Sequence, residues 1–392
     1  MSTLRVSVSP SVLQWAIDSS GRSLEELAGK QGLKHLSDWL AGTGKPTYKQ
    51  LKAFAHATWT ALGYLFLKEP PADQGLPIPD FRTVGSSPVH RISPHLRDTI
   101  YLCQRRQFWF QEYAQSLELD PLPFVGSARV GDDVIRTAEA IRQALGFDLA
   151  AREQMTTWEQ ALRDLIRRVE AAGVLIMVSG VVGNDTTRPL NPQEFRGFVL
   201  VDGVAPVVFV NGADSKSAQM FTIAHELAHV WLGREGLLDG EASQLPDDRA
   251  EAWCNRVAAE VLVPLDAVRA ALRLAEPVEA AMQRVASRFK VSTLVALRRL
   301  FDAGFMGREP FEAAWRSEVA RLTALRRRAK EGSEGGGNFY ASLALRVGER
   351  FAQALISSAE AGETFQREAL GLLAVKKTRT MDEFGRRLGV VS

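Results

Sequence analysis

The pentapeptide His225-Glu226-Leu227-Ala228-His229 constrains this chain more than any other stretch. It lies in an apolar pattern with helical spacing that includes Phe221, Ala224 and Trp231, and Gly233 is predicted to end the helix. Residues four apart on a helix share one face, with Cβ atoms about 5–6 Å apart. The two imidazoles are therefore predicted to bind one Zn²⁺, with Glu226 beside them as general base.

A catalytic zinc needs a third protein ligand and an open position. No histidine follows His229, so the third ligand is predicted to be a carboxylate. Glu251 is favoured on geometry, because it begins a predicted helix over residues 251–262 whose small side chains permit close packing. A capping box over residues 248–251, in which Glu251 only satisfies a backbone amide, stays an open alternative. The full set of candidates is Glu235, Asp239, Glu241, Asp247, Asp248, Glu251 and Glu260.

Composition narrows the function classes. The 392 residues carry 48 Lys+Arg against 46 Asp+Glu, a formal charge of +2, so DNA binding would require a local basic patch. Cys103 and Cys254 form no CxxC motif, which excludes a cysteine-based zinc site or a disulfide framework and favours a reducing compartment. Without a signal-like N-terminus or a membrane-spanning apolar run, we expect a cytoplasmic protein with no membrane association. The oligomeric state is left undetermined.

The fold is predicted to be α+β and mostly helical. Three short apolar runs predict strands over 173–178, 195–201 and 206–210, the last two joined at Asp202-Gly203, in a small antiparallel sheet. The run 206–210 could hold an extended substrate by strand addition. From residue 217 onward the pattern is helical. Pro- and Gly-rich stretches at 75–80, 85–88 and 331–337 predict linkers.

Several separate motifs resemble the ImmA/IrrE family of metallopeptidases. They are Glu194–Phe198, Pro206–Asn211, Phe221–His229, Glu251–Pro264, and the pair 289–292 and 298–300. The resemblance implies a zincin-like peptidase core, with His225, His229 and Glu251 as zinc ligands and Glu226 as the catalytic base. It also implies a protein substrate of the repressor or antitoxin class.

The N-terminal residues resemble an Xre-like helix-turn-helix. Ser23 is predicted to cap a helix whose Leu24, Leu27 and Ala28 face inward, and Gly32 supplies the turn. Further helices are predicted over 46–55 and 62–67. The segment 34–38 offers few base-reading side chains, and eight Lys/Arg against five Asp/Glu leave residues 1–69 with only +3. DNA binding and protein binding by this domain both stay open, and no DNA-contacting residue is assigned.

These observations predict four regions and rank two functions. The regions are a helix-turn-helix domain (1–69), a linker and helical bridge (70–125), a metallopeptidase domain (126–310) and a helical accessory domain (311–392), which carries a basic turn, Lys376–Arg379. The favoured function is a zinc-dependent endopeptidase. The alternative is a transcriptional regulator or antitoxin-type protein whose zinc fold is a sensor or scaffold. Retention of Glu226 favours the enzyme, because a scaffold does not need a general base.

Overall fold

The computed structural model describes residues 5–72, 92–238, 249–273, 275–330 and 338–391. The three predicted linkers lie outside these ranges, and so do the candidates Asp239, Glu241, Asp247 and Asp248, the last of which is the first residue of the alternative capping box. By contacts between Cα atoms the chain forms two compact units, Met1–Pro77 with Val84–Tyr101, and Ile78–Thr83 with Leu102–Ser392. The division into four regions stays a prediction.

The first unit is helical. Its helices are α1 (Pro10–Ser20), α2 (Leu24–Ala28), α3 (Leu36–Leu40), α4 (Tyr48–Thr58), a 3₁₀ helix (Leu62–Phe66) and the start of α5 (Pro94–Ser116). A capping box between Ser23 and Glu26 starts α2, and Gly32 turns with φ +88°, as expected. Leu27 is buried as predicted. Leu24 is 39% exposed, so the prediction that Leu24 faces inward was wrong.

The second unit contains the remaining elements. Its helices are α6 (Val134–Ala144), α7 (Leu149–Glu153), α8 (Trp158–Ala171), α9 (Lys216–Leu232), α10 (Arg249–Leu262), α11 (Leu265–Ala270), α12 (Val278–Phe289), α13 (Thr293–Asp302), α14 (Arg308–Lys330), α15 (Phe339–Val347), α16 (Glu349–Glu360), α17 (Gln366–Leu373) and α18 (Thr378–Leu388). Its strands are β1 (Leu175–Ser179), β2 (Val181–Val182), β3 (Asp185–Pro189), β4 (Gly197–Leu200), β5 (Val207–Asn211) and β6 (Gly236–Leu238).

The main sheet has the strand order β1-β5-β4-β6. Strands β4 and β5 form the predicted antiparallel hairpin, with Phe198 opposite Phe209. Strand β1, however, runs parallel to β5, with Leu175 opposite Val207, so the sheet is mixed and the prediction of an antiparallel sheet was wrong. The error has a physical cause: the turn between β4 and β5 is local, whereas the placement of β1 depends on the long connection through the small β2–β3 sheet.

Two further expectations fail at this sheet. Strand β6 interrupts the region predicted to be wholly helical, and it pairs antiparallel with β4. Strand β5 lies between β1 and β4, so both of its hydrogen-bonding edges are occupied. It therefore cannot take a substrate by strand addition.

The C-terminal helices belong to the same compact unit as the sheet. The buried guanidinium of Arg106, on α5, donates to the carbonyl oxygens of Arg346 at 3.0 Å and Leu372 at 2.9 Å. Arg106 also lies 3.3 Å from the sulfur of Met177 on β1. One fully buried side chain thus joins α15 and α17 to the sheet. Burial lowers the pKa of Arg106 to about 10.

No helix in the described part of the chain combines the length and apolar character that a bilayer span requires.

Candidate metal centre

Helix α9 carries the His-Glu-x-x-His sequence through the core. The Ser215 hydroxyl accepts the Ala218 amide at its start, and Gly233 ends it in the left-handed conformation with φ +66°, as predicted. His225 and Glu226 are fully buried, and His229 is 2% exposed. The two imidazoles share one face of the helix, with ring centroids 4.9 Å apart.

Helix α10 packs against α9 and supplies a carboxylate to the same face. The Oε2 of Glu251 lies 3.1 Å from His225 Nε2, and its Oε1 lies 3.0 Å from His229 Nε2. Fully buried Cys254 and Ala258 follow on α10, and their small side chains allow the close approach of the two helices. Of the third-ligand candidates, Glu251 is the one that the described structure brings to the histidines.

The spacing of the three side chains fits a tetrahedral metal. The two Nε2 atoms are 3.1 Å apart, and each faces a different oxygen of the Glu251 carboxylate at 3.0–3.1 Å. Donors bound to zinc at roughly 2.0–2.1 Å in a tetrahedron would be about 3.3 Å apart. His225, His229 and Glu251 can therefore hold such an ion after a small outward adjustment.

Glu226 has the character expected of a catalytic carboxylate. Neither of its oxygens has a hydrogen-bond partner among the described residues, although the side chain is fully buried. Leaving a buried carboxylate unpaired is costly, so such a group indicates a functional requirement. Burial raises the pKa of Glu226 well above its usual value, and the nearby charge of Glu251 raises it further.

The surroundings also shift the pKa values of Glu251 and His229. Burial opposes ionisation of Glu251, but its polar contacts with the His225 and His229 imidazoles outweigh this effect, and the net result is a lowered pKa. Burial lowers the pKa of His229 despite its hydrogen bond to Glu251. A carboxylate that stays ionised and an imidazole that stays neutral are the protonation states that metal ligation requires.

The remaining described carboxylate candidates are engaged elsewhere. Glu260 pairs with Arg299 and accepts the Leu265 amide at 3.2 Å. Glu235 accepts a backbone hydrogen bond from Val201, and burial raises its pKa. Neither side chain belongs to the cluster of potential ligands formed by His225, His229 and Glu251.

Sequence reasoning assigned no role to Asn255. This residue lies one helical turn after Glu251, and its Oδ1 is 3.0 Å from His225 Nδ1. An imidazole that donates from Nδ1 has its lone pair on Nε2, the atom that faces Glu251 and His229. The four-residue spacing from Glu251 was the signal that could have identified Asn255.

Two parts of the chain match models of known protein families. Residues 169–301 match the family model described as Peptidase_M78, IrrE N-terminal-like domain. This match supports the resemblance to the ImmA/IrrE family. It covers the sheet, α9 and α10, and it points to a metallopeptidase, a class that is typically metal-dependent. Residues 347–387 match a domain of unknown function, DUF8813. The search of curated proteins found no match.

Proposed function

We propose that this chain is a zinc-dependent endopeptidase that cleaves a specific regulatory protein of the repressor or antitoxin class. The observation that carries the proposal is the unpaired, fully buried carboxylate of Glu226 beside the cluster of His225, His229 and Glu251. The family match supports the hydrolase class. The class of substrate rests on the ImmA/IrrE resemblance.

The residues of the site would have three roles: metal binding, proton transfer and positioning. His225, His229 and Glu251 would hold the zinc, which when bound polarises a scissile carbonyl and lowers the pKa of water. Glu226 accepts the proton of the attacking water at a carboxylate oxygen and delivers it to the departing amine. Asn255 holds the His225 ring in the tautomer that presents Nε2.

A scaffold or sensor role accounts less well for Glu226. A zinc site that serves only structure prefers four Cys or His ligands in a closed arrangement. Here the cluster offers two histidines and one carboxylate, and an additional unpaired carboxylate is kept within the core at a cost in stability.

The decisive experiment compares Glu226→Gln with the wild-type chain. Glu226→Gln keeps the size of the side chain and removes the base, so we expect one zinc per chain by elemental analysis and loss of cleavage. The substrate would be identified by co-purification with this variant, which binds its partner without releasing products. Glu235→Gln is the matched control, because Glu235 is a partly buried carboxyl outside the cluster. Cleavage of the captured partner by purified Glu226→Gln protein would refute the proposal.

A further inference from the structure

The last three helices form a small packed assembly within the second unit. Helices α16, α17 and α18 contact one another pairwise. Their shared apolar side chains are at most 2% exposed: Phe351, Leu355, Leu372, Leu373, Met381 and Phe384. The match to the domain of unknown function, at residues 347–387, covers almost all of this assembly.

The connection between α17 and α18 is a tight turn. It consists of four residues, Ala374–Lys377, and Ala374 has the left-handed conformation with φ +55°. The Val375 amide donates to the Leu370 carbonyl oxygen at 3.0 Å, which closes the end of α17. Two helices joined by a turn of about three or four residues, packed on a preceding helix, are the architecture of a helix-turn-helix.

The second helix of this pair presents a basic surface. Five exposed cations lie on the turn and on α18: Lys376, Lys377, Arg379, Arg386 and Arg387. The carboxylates of α18 belong to Asp382 and Glu383, neither of which is fully exposed. Glu383 pairs with Arg386 at 3.0 Å and Arg387 at 2.9 Å, both in the last turns of the helix. In the described chain, no carboxylate forms an ion pair with Lys377 or Arg379.

A cleft of about 440 Å³ opens beside this surface. It is lined by Tyr340, Lys377, Arg379, Thr380, Glu383 and Arg386. The guanidinium of Arg387 lies 4.3 Å from the ring centroid of Tyr340, which orders the α15 side of the surface. Unpaired cations and a hydroxyl at the start of a helix are the groups that contact phosphate oxygens and base edges in DNA complexes.

We propose that α17 and α18 are a helix-turn-helix that binds duplex DNA, with α18 as the recognition helix. Lys377, Arg379 and Thr380 would enter the major groove or contact its edges, and the cations at the turn and at the end of α18 would contact phosphates. This site is separate from the N-terminal helices. There the corresponding short helix, α3, has five residues and no Lys or Arg, whereas α18 has eleven residues and three Arg.

DNA binding would be measured on the full-length protein. The probe is a fluorescently labelled 30-base-pair duplex of mixed sequence, titrated by anisotropy between 50 and 200 mM KCl. We expect the affinity of the wild type to fall linearly with salt on a double-logarithmic plot. The double variant Lys377→Glu with Arg379→Glu should bind at least about 10-fold more weakly at 50 mM, with a salt slope smaller by about 2.

Three further double variants test whether DNA binding depends on this site or only on the net charge of the protein. Arg163→Glu with Arg167→Glu, exposed on α8, makes the same change in net charge and should retain wild-type affinity. Lys377→Arg with Arg379→Lys keeps the charges and should also bind. Lys49→Glu with Lys52→Glu tests α4 of the first unit. Circular dichroism would verify that each variant is folded.

The proposal is overturned if the wild type shows no salt-dependent binding, or if the α18 and α8 double variants lose affinity equally. It is also overturned if binding depends on Lys49 and Lys52 but not on Lys377 and Arg379. Binding of an acidic polypeptide such as polyglutamate in place of DNA would assign the surface to a protein partner and reject the DNA site. None of these outcomes depends on peptidase activity.

Discussion

Asn255 Oδ1 accepts a hydrogen bond from His225 Nδ1 over 3.0 Å, which couples helix α10 to the first histidine of α9. Because Glu251 is on the same face of α10, one helix supplies both a candidate ligand and the group that orients another. The hydrogen bond at Nδ1 already fixes the orientation of the His225 ring, so the ring loses little rotational freedom when Nε2 binds a metal. The separation of α9 from α10 therefore matters for the metal site as well as for the core.

Replacement of Asn255 by Ala should weaken zinc binding roughly 10- to 100-fold, the usual effect of removing a hydrogen bond behind a metal-binding histidine. Asn255→Asp keeps an oxygen acceptor at the same position and should recover most of the affinity. Competition with a chromophoric chelator would measure both constants. Equal zinc affinity of Asn255→Ala and the wild type would show that Asn255 has no positioning role.

Gly197 is predicted to be required for the close approach of β4 to α9. A Cβ atom at this position would collide with Thr222 Cγ2, and it would lie 2.8 Å from the Phe209 carbonyl oxygen and 3.2 Å from Glu226 Oε1. Because the oxygen belongs to the backbone of a central strand, it cannot move aside easily. We expect Gly197→Ala to lower the free energy of unfolding by about 1–3 kcal/mol, measured by urea denaturation.

Gly203→Ala is the matched control for that experiment. Gly203 lies in the turn between β4 and β5, and an added Cβ would meet only Pro121 Cβ at 3.7 Å, an ordinary contact. Its effect on stability should stay within about 0.5 kcal/mol, as is usual for surface substitutions. If both glycine variants were equally stable, the crowding between β4 and α9 would not limit the fold.

Sequence reasoning succeeded where the determinants are local. The spacing of His225 and His229, the stop at Gly233 and the hairpin at Asp202-Gly203 are all set within a few residues, and the structure has each of them. The parallel placement of β1 depends on the packing of a long connection, which no local pattern encodes.

The candidate metal site shows the same limit of sequence-based prediction. The helical pattern identified α10, but both of its carboxylates, Glu251 and Glu260, were compatible with ligation. Which one meets the histidines depends on how α10 rotates against α9, because nine residues separate the two side chains and place them at different heights and angles on the helix. The structure turns Glu251 towards His225 and His229, and Glu260 towards Arg299. Tertiary packing decides between them, so the sequence could only rank them.

Glu170 should make stability depend on pH. This carboxyl, on α8, is 8% exposed, and its Oε1 accepts the Arg350 amide of α16 at 3.2 Å. Burial raises its pKa to about 7, and the neighbouring charge of Glu349 adds to the increase. Since the folded-state pKa lies above the unfolded value, the stabilising contribution is present below about pH 4.5 and is lost as pH rises to about 7.

Glu170→Gln keeps the acceptor for the Arg350 amide and removes the titration. We expect the variant to gain up to about 3 kcal/mol over the wild type between pH 4.5 and pH 8, from the size of the pKa shift. Urea denaturation at several pH values would measure the difference. Glu360→Gln, at an exposed position of α16, is the control and should follow the wild-type profile. A constant difference between Glu170→Gln and wild type across this range would contradict the assignment.

The buried pair of Glu260 and Arg299 is predicted to support the fold and not the metal. Both side chains are at most 7% exposed, and Arg299 also donates from Nε to the Val263 carbonyl oxygen at 2.8 Å. Glu260→Ala leaves this buried guanidinium with only the more distant Asp302 carboxylate, at 3.7 Å, and we expect a loss of about 3–5 kcal/mol in the free energy of unfolding. Arg298→Met is the control: it breaks an ion pair with Asp302 whose arginine is half exposed, and should cost less than about 1 kcal/mol.

Zinc affinity, measured on folded protein by chelator competition, should be unchanged in both variants. A selective loss of zinc from folded Glu260→Ala protein would return Glu260 to the set of candidate ligands and weaken the assignment of Glu251.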